Sequence, residues 1–76
     1  MTTIITVTES GTTPVRFSCF IKTGPDKTFE TDLETSEPGG AAAYAMQVLL
    51  EIDGPYLIVG PKDVLGFIPE KFRSRK

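Results

Sequence analysis

Residues 36–73 decide the predicted fold, and they read SEPGGAAAYAMQVLLEIDGPYLIVGPKDVLGFIPEKFR. This segment predicts one alanine-rich helix, then an apolar hairpin, then a basic end. Ser36 can cap the free amides at the start of the helix, and Pro38 is tolerated in its first turn. Gly54 and the proline after it mark the stop, because glycine adopts the left-handed conformation at a helix end and proline cannot continue the helix.

Successive turns of this helix divide its residues between two faces. The face expected to pack on a sheet contains Ala42, Ala45, Met46, Leu49 and Ile52. The opposite face contains Gly40, Ala43, Tyr44, Gln47 and Glu51. Because tyrosine is enriched in protein interfaces, we expect Tyr44, Gln47 and Glu51 to bind a partner. The alternative is an ordinary solvated helix face, on which Tyr44 projects from a surface of small residues.

Three segments ahead of the helix, residues 3–9, 15–23 and 28–34, have the alternating β-branched pattern of strands. The side chains expected to face inward are Ile5, Val7, Val15, Phe17, Cys19, Ile21, Phe29, Thr31 and Leu33. After the helix, residues 56–59 lack polar alternation, which predicts a strand covered on both faces near the sheet centre. Residues 64–68 predict a last strand. We therefore expect an α+β fold: an antiparallel sheet of about five strands in the order βββαββ, with one helix packed on one face.

The 76 residues suffice for one domain, expected to span residues 1–70 and to be followed by a basic tail over residues 71–76. Hydrophobic residues make up 39% and charged residues 24% of the chain, which is typical of a folded globular protein. The formal net charge of -2 argues against the broad basic surface that binds duplex DNA. The tail is expected to be frayed; it either improves solubility or contacts DNA, and Arg73 is a candidate for such a contact.

The side-chain inventory argues against an enzyme. The chain has no histidine, and its single cysteine, Cys19, therefore has no imidazole partner to activate it. Cys19 falls on the inward side of a strand, so we expect a small core residue. Zinc sites need clustered cysteine and histidine, and calcium needs closely spaced loop carboxylates, so we expect no metal and no cofactor. Residues 38–40 lack the lysine and the spacing of a phosphate-binding loop.

Glu30, Asp32 and Glu34 alternate along the third predicted strand and should share one face, with about 7 Å between successive side chains. Such regular, exposed spacing does not suit a catalytic pair. One interpretation is a solvated sheet face. The other is a surface that binds the lysines and arginines of a protein that normally handles nucleic acid, with the carboxylates in place of phosphates.

A lone cysteine cannot form an internal disulfide, and the sequence shows no signal peptide, so we expect a cytoplasmic protein. No run approaches the ~20 apolar residues that cross a bilayer. The longest apolar run, residues 41–52, is interrupted by Gln47 and Glu51. We therefore expect no membrane partner.

Several short motifs follow one another along the chain. They are Val7-Thr8-Glu9, Glu37-Pro38-Gly39, Ala41–Ala43, Ala45-Met46-Gln47, Val64-Leu65-Gly66-Phe67-Ile68-Pro69-Glu70 and Arg73. They total 20 of the 76 residues, and together they resemble a family of small phage-encoded anti-CRISPR proteins that inhibit type I-F systems. The acidic third strand and Tyr44 depart from the family pattern, so these residues are candidates on their own chemistry only.

The resemblance implies a protein that binds the crRNA-guided surveillance complex in the cytoplasm of an infected bacterial host cell. Its partners would be protein subunits of that complex, alone or with bound DNA. It would block DNA capture or recruitment of the nuclease-helicase by occlusion. The residues leave an alternative open: a small phage or bacterial accessory module that pairs with itself or another protein at an open sheet edge. In either case we expect a monomer or weak dimer.

Overall fold

A computed structural model describes residues 2–76 of the chain. The strands are β1 (Thr3–Glu9), β2 (Phe17–Gly24), β3 (Lys27–Leu33), β4 (Tyr56–Val59) and β5 (Ser74–Arg75). The helices are α1 (Pro38–Leu49), α2 (Lys62–Leu65) and a short 3-10 helix (Glu70–Phe72). The strands form one sheet in the order β3-β2-β1-β4-β5, and α1 contributes buried alanines to the core against one sheet face. The predicted α+β fold is confirmed.

The sheet is mixed, so the prediction of a purely antiparallel sheet is wrong. β1 runs antiparallel to β2 but parallel to β4, and Ile5 lies opposite both Ile21 and Ile58. The reason is the connection through α1, which returns the chain so that β4 points in the same direction as β1 and β3. Because β4 pairs with β1, the first strand of the sequence becomes the centre of the sheet.

The segment predicted as the last strand, residues 64–68, instead forms the end of α2 and the turn that follows it. The backbone amides of Val64 and Leu65 both donate to the carbonyl of Pro61 at 3.0 Å, which closes the first turn of α2. Val64 and Ile68 are buried. Residues four apart in sequence lie on the same side of a helix, and they also lie on the same side of a strand. The apolar pattern therefore did not distinguish a helix from a strand in this segment.

The C-terminal residues belong to the fold, so the prediction that residues 71–76 are frayed is wrong. β5 pairs antiparallel with β4, with Arg75 opposite Tyr56 and Ser74 opposite Leu57. The backbone amide of Ile58 donates to the carbonyl of Arg73 at 2.8 Å. The hydroxyl of Tyr56 donates to the carbonyl of Phe72 at 3.0 Å. This final segment therefore covers the edge of β4.

The core lies between α1 and one face of the sheet. Its buried members are Ile5, Val7, Phe17, Cys19, Leu33, Ala41, Ala42, Ala45, Tyr56, Ile58, Val64 and Ile68. The inward alternation predicted for β1 and β2 is confirmed. The inward position predicted for Phe29 is wrong: this side chain is 59% exposed, on the edge strand β3. Three alanines of α1 are fully buried, so the helix packs through small side chains.

The start of α1 differs by one residue from the prediction. Glu37, rather than Ser36, precedes the first helical residue, and Pro38 occupies the first turn as expected. The hydroxyl of Thr35 accepts a hydrogen bond from the Glu37 amide at 3.1 Å, which orders the chain ahead of the helix. At the other end, the prediction that Gly54 caps the helix is wrong: α1 ends at Leu49, and its C-cap Leu50 is right-handed with a φ of -66°. Gly54 takes a positive φ of 114° four residues later, in the loop before β4.

None of the helices within residues 2–76 is long and apolar enough to cross a membrane.

The molecule measures 36 × 28 × 17 Å along its principal axes. The thinnest dimension fits one sheet and one helix layer, because packed layers are about 10 Å apart. One face of the sheet is therefore left without a covering layer.

Candidate protein-interaction surfaces

The first candidate is the helix surface, formed by Tyr44, Gln47 and Glu51. With Val48 they line a shallow depression of about 180 Å³ on the outer side of α1. Tyr44 is half-buried and packs against the core, whereas Gln47 and Glu51 are exposed. The structure thus brings together the three helix residues predicted from sequence. The ring of Tyr44 is held on one side, which suits a rigid contact residue.

The predicted acidic row is shorter than expected. Glu30 and Asp32 lie on β3 and face away from α1, opposite Phe20 and Ser18 of β2. The Ser18 hydroxyl donates to Oδ1 of Asp32 at 2.9 Å. Glu34 lies beyond the end of β3 and lines a separate surface pocket of about 310 Å³. The prediction that three carboxylates share a strand face is therefore wrong, and two remain.

The sheet face opposite α1 carries apolar side chains beside these two carboxylates. Ile4 is 36% exposed, Leu57 is 42% exposed and Val59 is 43% exposed. The prediction that β4 is covered on both faces is wrong, because α1 covers only one. We use the name open sheet face for the surface formed by Ile4, Thr6, Ser18, Phe20, Lys22, Glu30, Asp32, Leu57 and Val59.

Sequence reasoning did not select Ile4, Leu57 or Val59 as interaction residues. The signal was present in the unbroken Tyr-Leu-Ile-Val of β4, but continuous apolar strands are usually buried on both faces. Here the same pattern marks a strand with one buried and one exposed apolar side. The distinction depends on the number of layers, which a four-residue pattern does not specify.

Arg73 lies at the other edge of the sheet, far along the strand order from Glu30 and Asp32. Its Nε donates to the carbonyl of Ile68 at 3.0 Å, and its Nη2 donates to the carbonyl of Leu65 at 2.8 Å. The side chain is half-buried. These contacts give Arg73 a structural role in holding the segment after α2 next to the C-terminus.

Arg75 makes a similar set of contacts with the loop after α1. Its guanidinium donates to the carbonyl of Ile52 at 2.8 Å and twice to that of Gly54, at 2.8 and 2.6 Å. It also lies 5.0 Å from the ring centroid of Tyr56. Two of the basic residues predicted to form a free tail therefore bind backbone carbonyls of their own chain.

A further apolar groove lies where the end of α1 meets the C-terminal segment. It has a volume of about 300 Å³ and is lined by Met46, Leu49, Leu50, Tyr56, Phe72 and Arg75. Leu50 is 86% exposed at its rim. This groove is on a different part of the molecule from the helix surface, and sequence reasoning did not identify it.

Cys19 occupies the core, as expected from the inward side of its strand. Burial raises the pKa of its thiol, so the uncharged form persists to higher pH than in an exposed cysteine. A protonated, inaccessible thiol is a poor nucleophile. Within residues 2–76, no group of three or more Cys, Asp or Glu side chains is placed to hold a metal ion.

Comparison of the sequence with protein-family models finds no match, and comparison with curated proteins finds none either. The helix surface and the open sheet face are therefore interpreted from their own geometry and chemistry. Both present exposed polar and apolar side chains to solvent. They suit binding to a macromolecular surface.

Proposed function

We propose that this chain is an anti-CRISPR protein that binds the crRNA-guided surveillance complex of a type I system, with I-F as the subtype that the motifs indicate. The folded domain covers a protein surface of that complex and so blocks DNA capture or recruitment of the nuclease-helicase. The observation that carries the proposal is the ordered set of motifs from Glu37-Pro38-Gly39 to Phe67-Ile68-Pro69-Glu70.

Two of these motifs meet in the folded chain, which supports treating them as one unit. A Cβ placed on Gly39 would lie 3.6 Å from Cε1 of Phe67. The start of α1 therefore packs against the segment after α2, which Val64 and Ile68 anchor in the core. The two motifs therefore lie next to each other in one part of the fold.

The proposed mechanism is occlusion, and the size of the domain permits it. A standard interface takes about 800 Å² from each partner. That area is about 15% of the 5218 Å² of accessible surface on this chain. The helix surface offers a half-buried Tyr44 between exposed polar side chains, an arrangement typical of a contact residue at the centre of an interface.

The test is binding to a purified type I-F surveillance complex, with and without target DNA, followed by native electrophoresis. We expect the chain to comigrate with the complex, and we expect Tyr44→Ala combined with Gln47→Ala to weaken binding at least tenfold. Lys62→Ala, an exposed change on α2, is the matched control and should bind normally. Circular dichroism of each variant confirms that it is folded.

Plaque assays on hosts with and without active CRISPR immunity provide the cellular readout. Phage carrying the gene should form plaques on the immune host at a frequency close to that on the host without CRISPR. Undiminished immunity in cells that contain abundant folded protein would refute the proposal. Adding the nuclease-helicase to the DNA-bound complex then separates a block of recruitment from a block of DNA capture.

The accessory-module alternative is favoured by one observation, the free edge of β3. This strand is seven residues long and lies at the end of the sheet. An unpaired edge can add a strand from another chain, although charged side chains such as Lys27, Glu30 and Asp32 oppose it. Sedimentation at micromolar concentration distinguishes the two: a dimer mass with no binding to the complex supports the module.

A further inference from the structure

The open sheet face has an ordered change of chemistry across its strands. In one row of neighbours, Glu30 of β3 lies next to Phe20 of β2, which lies next to Thr6 of β1, which lies next to Val59 of β4. Strand spacing of about 4.8 Å makes this row roughly 14 Å long. One end is therefore a carboxylate and the other end is an exposed aliphatic side chain.

The two neighbouring rows do not repeat this arrangement, because the row through Asp32 does not reach β4 and the row through Ile4 and Leu57 has no carboxylate. Asp32 lies opposite Ser18 at the acidic end, and Ile4 lies opposite Leu57 at the apolar end. Lys22, opposite Ile4 on β2, also lies on this face. The face thus combines an apolar half on β1 and β4 with two carboxylates along β3.

We infer that the open sheet face is a docking surface for a basic protein surface, one that presents aliphatic or aromatic side chains flanked by arginine or lysine. The apolar half removes its exposed side chains from water on binding, which supplies the driving force. The carboxylates of Glu30 and Asp32 pair with the cations and fix the orientation of the partner. This inference concerns the chemistry of the partner and goes beyond the proposed function, since it does not require a CRISPR subunit.

Charge complementarity selects this occupant over the others. Nucleic acid and anionic membranes both present phosphates, which the carboxylates of Glu30 and Asp32 repel. Among the paired strand residues that the structure places on this face, a second copy of the chain would offer one cation, Lys22, against two carboxylates. A basic, apolar protein surface is the occupant that satisfies both halves together.

The test is a titration of isotope-labelled chain with two synthetic helical peptides, followed by amide chemical shifts. Both peptides have the same leucine face, flanked in one by arginines and in the other by glutamates. We expect the arginine peptide to shift amides of β1, β2 and β4, and to bind at least tenfold more tightly than the glutamate peptide. Glu30→Lys combined with Asp32→Lys should reverse this preference.

Variants of the apolar half complete the test. Val59→Arg should weaken binding of the arginine peptide at least tenfold, while Leu50→Arg, on the apolar groove beside α1, should leave it unchanged. Leu57→Arg replaces Val59→Arg if the latter fails to fold, which the amide spectrum reports. Equal binding of both peptides overturns the inference. Shifts confined to the groove at Leu50, or shifts that depend on the concentration of the chain alone, also overturn it.

The outcomes separate this inference from the proposed function. If the chain binds the arginine peptide in this pattern but does not bind the surveillance complex, the docking surface is supported and the anti-CRISPR role is refuted. A chain that binds the complex equally well with Val59→Arg and with Glu30→Lys, and shows no peptide preference, retains the role and loses the open sheet face as its contact.

Discussion

Replacing Arg73 with alanine should destabilise the protein, although a basic residue near a C-terminus is ordinarily dispensable. The guanidinium donates to the carbonyls of Leu65 and Ile68 at 2.8 and 3.0 Å. Hydrogen bonds from charged donors contribute about 1.5–3 kcal/mol each. Because Arg73 is only half-buried and water can replace part of each bond, we take about 1 kcal/mol per bond. The expected loss for Arg73→Ala is therefore about 2 kcal/mol.

Such a loss is large for a chain of 76 residues. At about 0.05–0.15 kcal/mol per residue, its total stability is roughly 4–11 kcal/mol. A loss of about 2 kcal/mol lowers the melting temperature by about 8–16 °C in a domain of this size. Urea unfolding followed by circular dichroism measures the free energy of unfolding directly.

Two further variants identify the cause of the loss. Lys76→Ala removes the same charge from the same segment without removing these hydrogen bonds, and we expect a change below about 0.5 kcal/mol. Arg73→Lys keeps the charge but can reach only one carbonyl, so we expect about half of the full loss. If Arg73→Ala shifts the unfolding midpoint no more than Lys76→Ala does, the structural role assigned to this side chain is wrong.

Two other expectations concern the core. Ala42→Leu should lower the free energy of unfolding by about 2–3 kcal/mol, because this buried alanine faces the sheet. The control Ala43→Leu, on the exposed side of α1, should change it by less than about 0.5 kcal/mol. Equal shifts of the melting temperature in the two variants would contradict close packing of the helix on the sheet. Because burial raises the pKa of Cys19, its thiol ionises in the unfolded chain before it ionises in the folded protein. The free energy of unfolding should therefore fall as the pH rises above ~8.5, by up to about 1.4 kcal/mol per pH unit. Urea titrations at pH 8 and 10 measure this fall, and Cys19→Ala should lack the part of it that the thiol causes.

The sequence was informative wherever a local rule determines the structure. Alternation along β1 and β2 correctly placed Ile5, Val7, Phe17 and Cys19 in the core, because successive strand residues point to opposite faces. The small face of α1 also followed from local geometry. On the candidate site, sequence brought together the three residues of the helix surface, which are neighbours on consecutive turns.

The errors came from quantities that no local pattern contains. Residues 64–68 place apolar side chains four apart, a spacing compatible with a helix and with one side of a strand, and packing against α1 selected the helix. Glu34 left the acidic row because β3 ends at Leu33. Arg73 was predicted to be a free cation, but it donates hydrogen bonds to backbone carbonyls because the end of the chain returns to β4.

The sequence by itself determined the approximate positions of the main helix and of four of the five strands. Tertiary structure decided the parallel pairing of β1 with β4 and the single covering layer of the sheet. It thereby decided that Leu57 and Val59 are exposed on the same face of the sheet as Glu30 and Asp32. The physical reason is that an apolar side chain specifies a need for burial, while the presence of a covering layer depends on contacts between residues far apart in the chain.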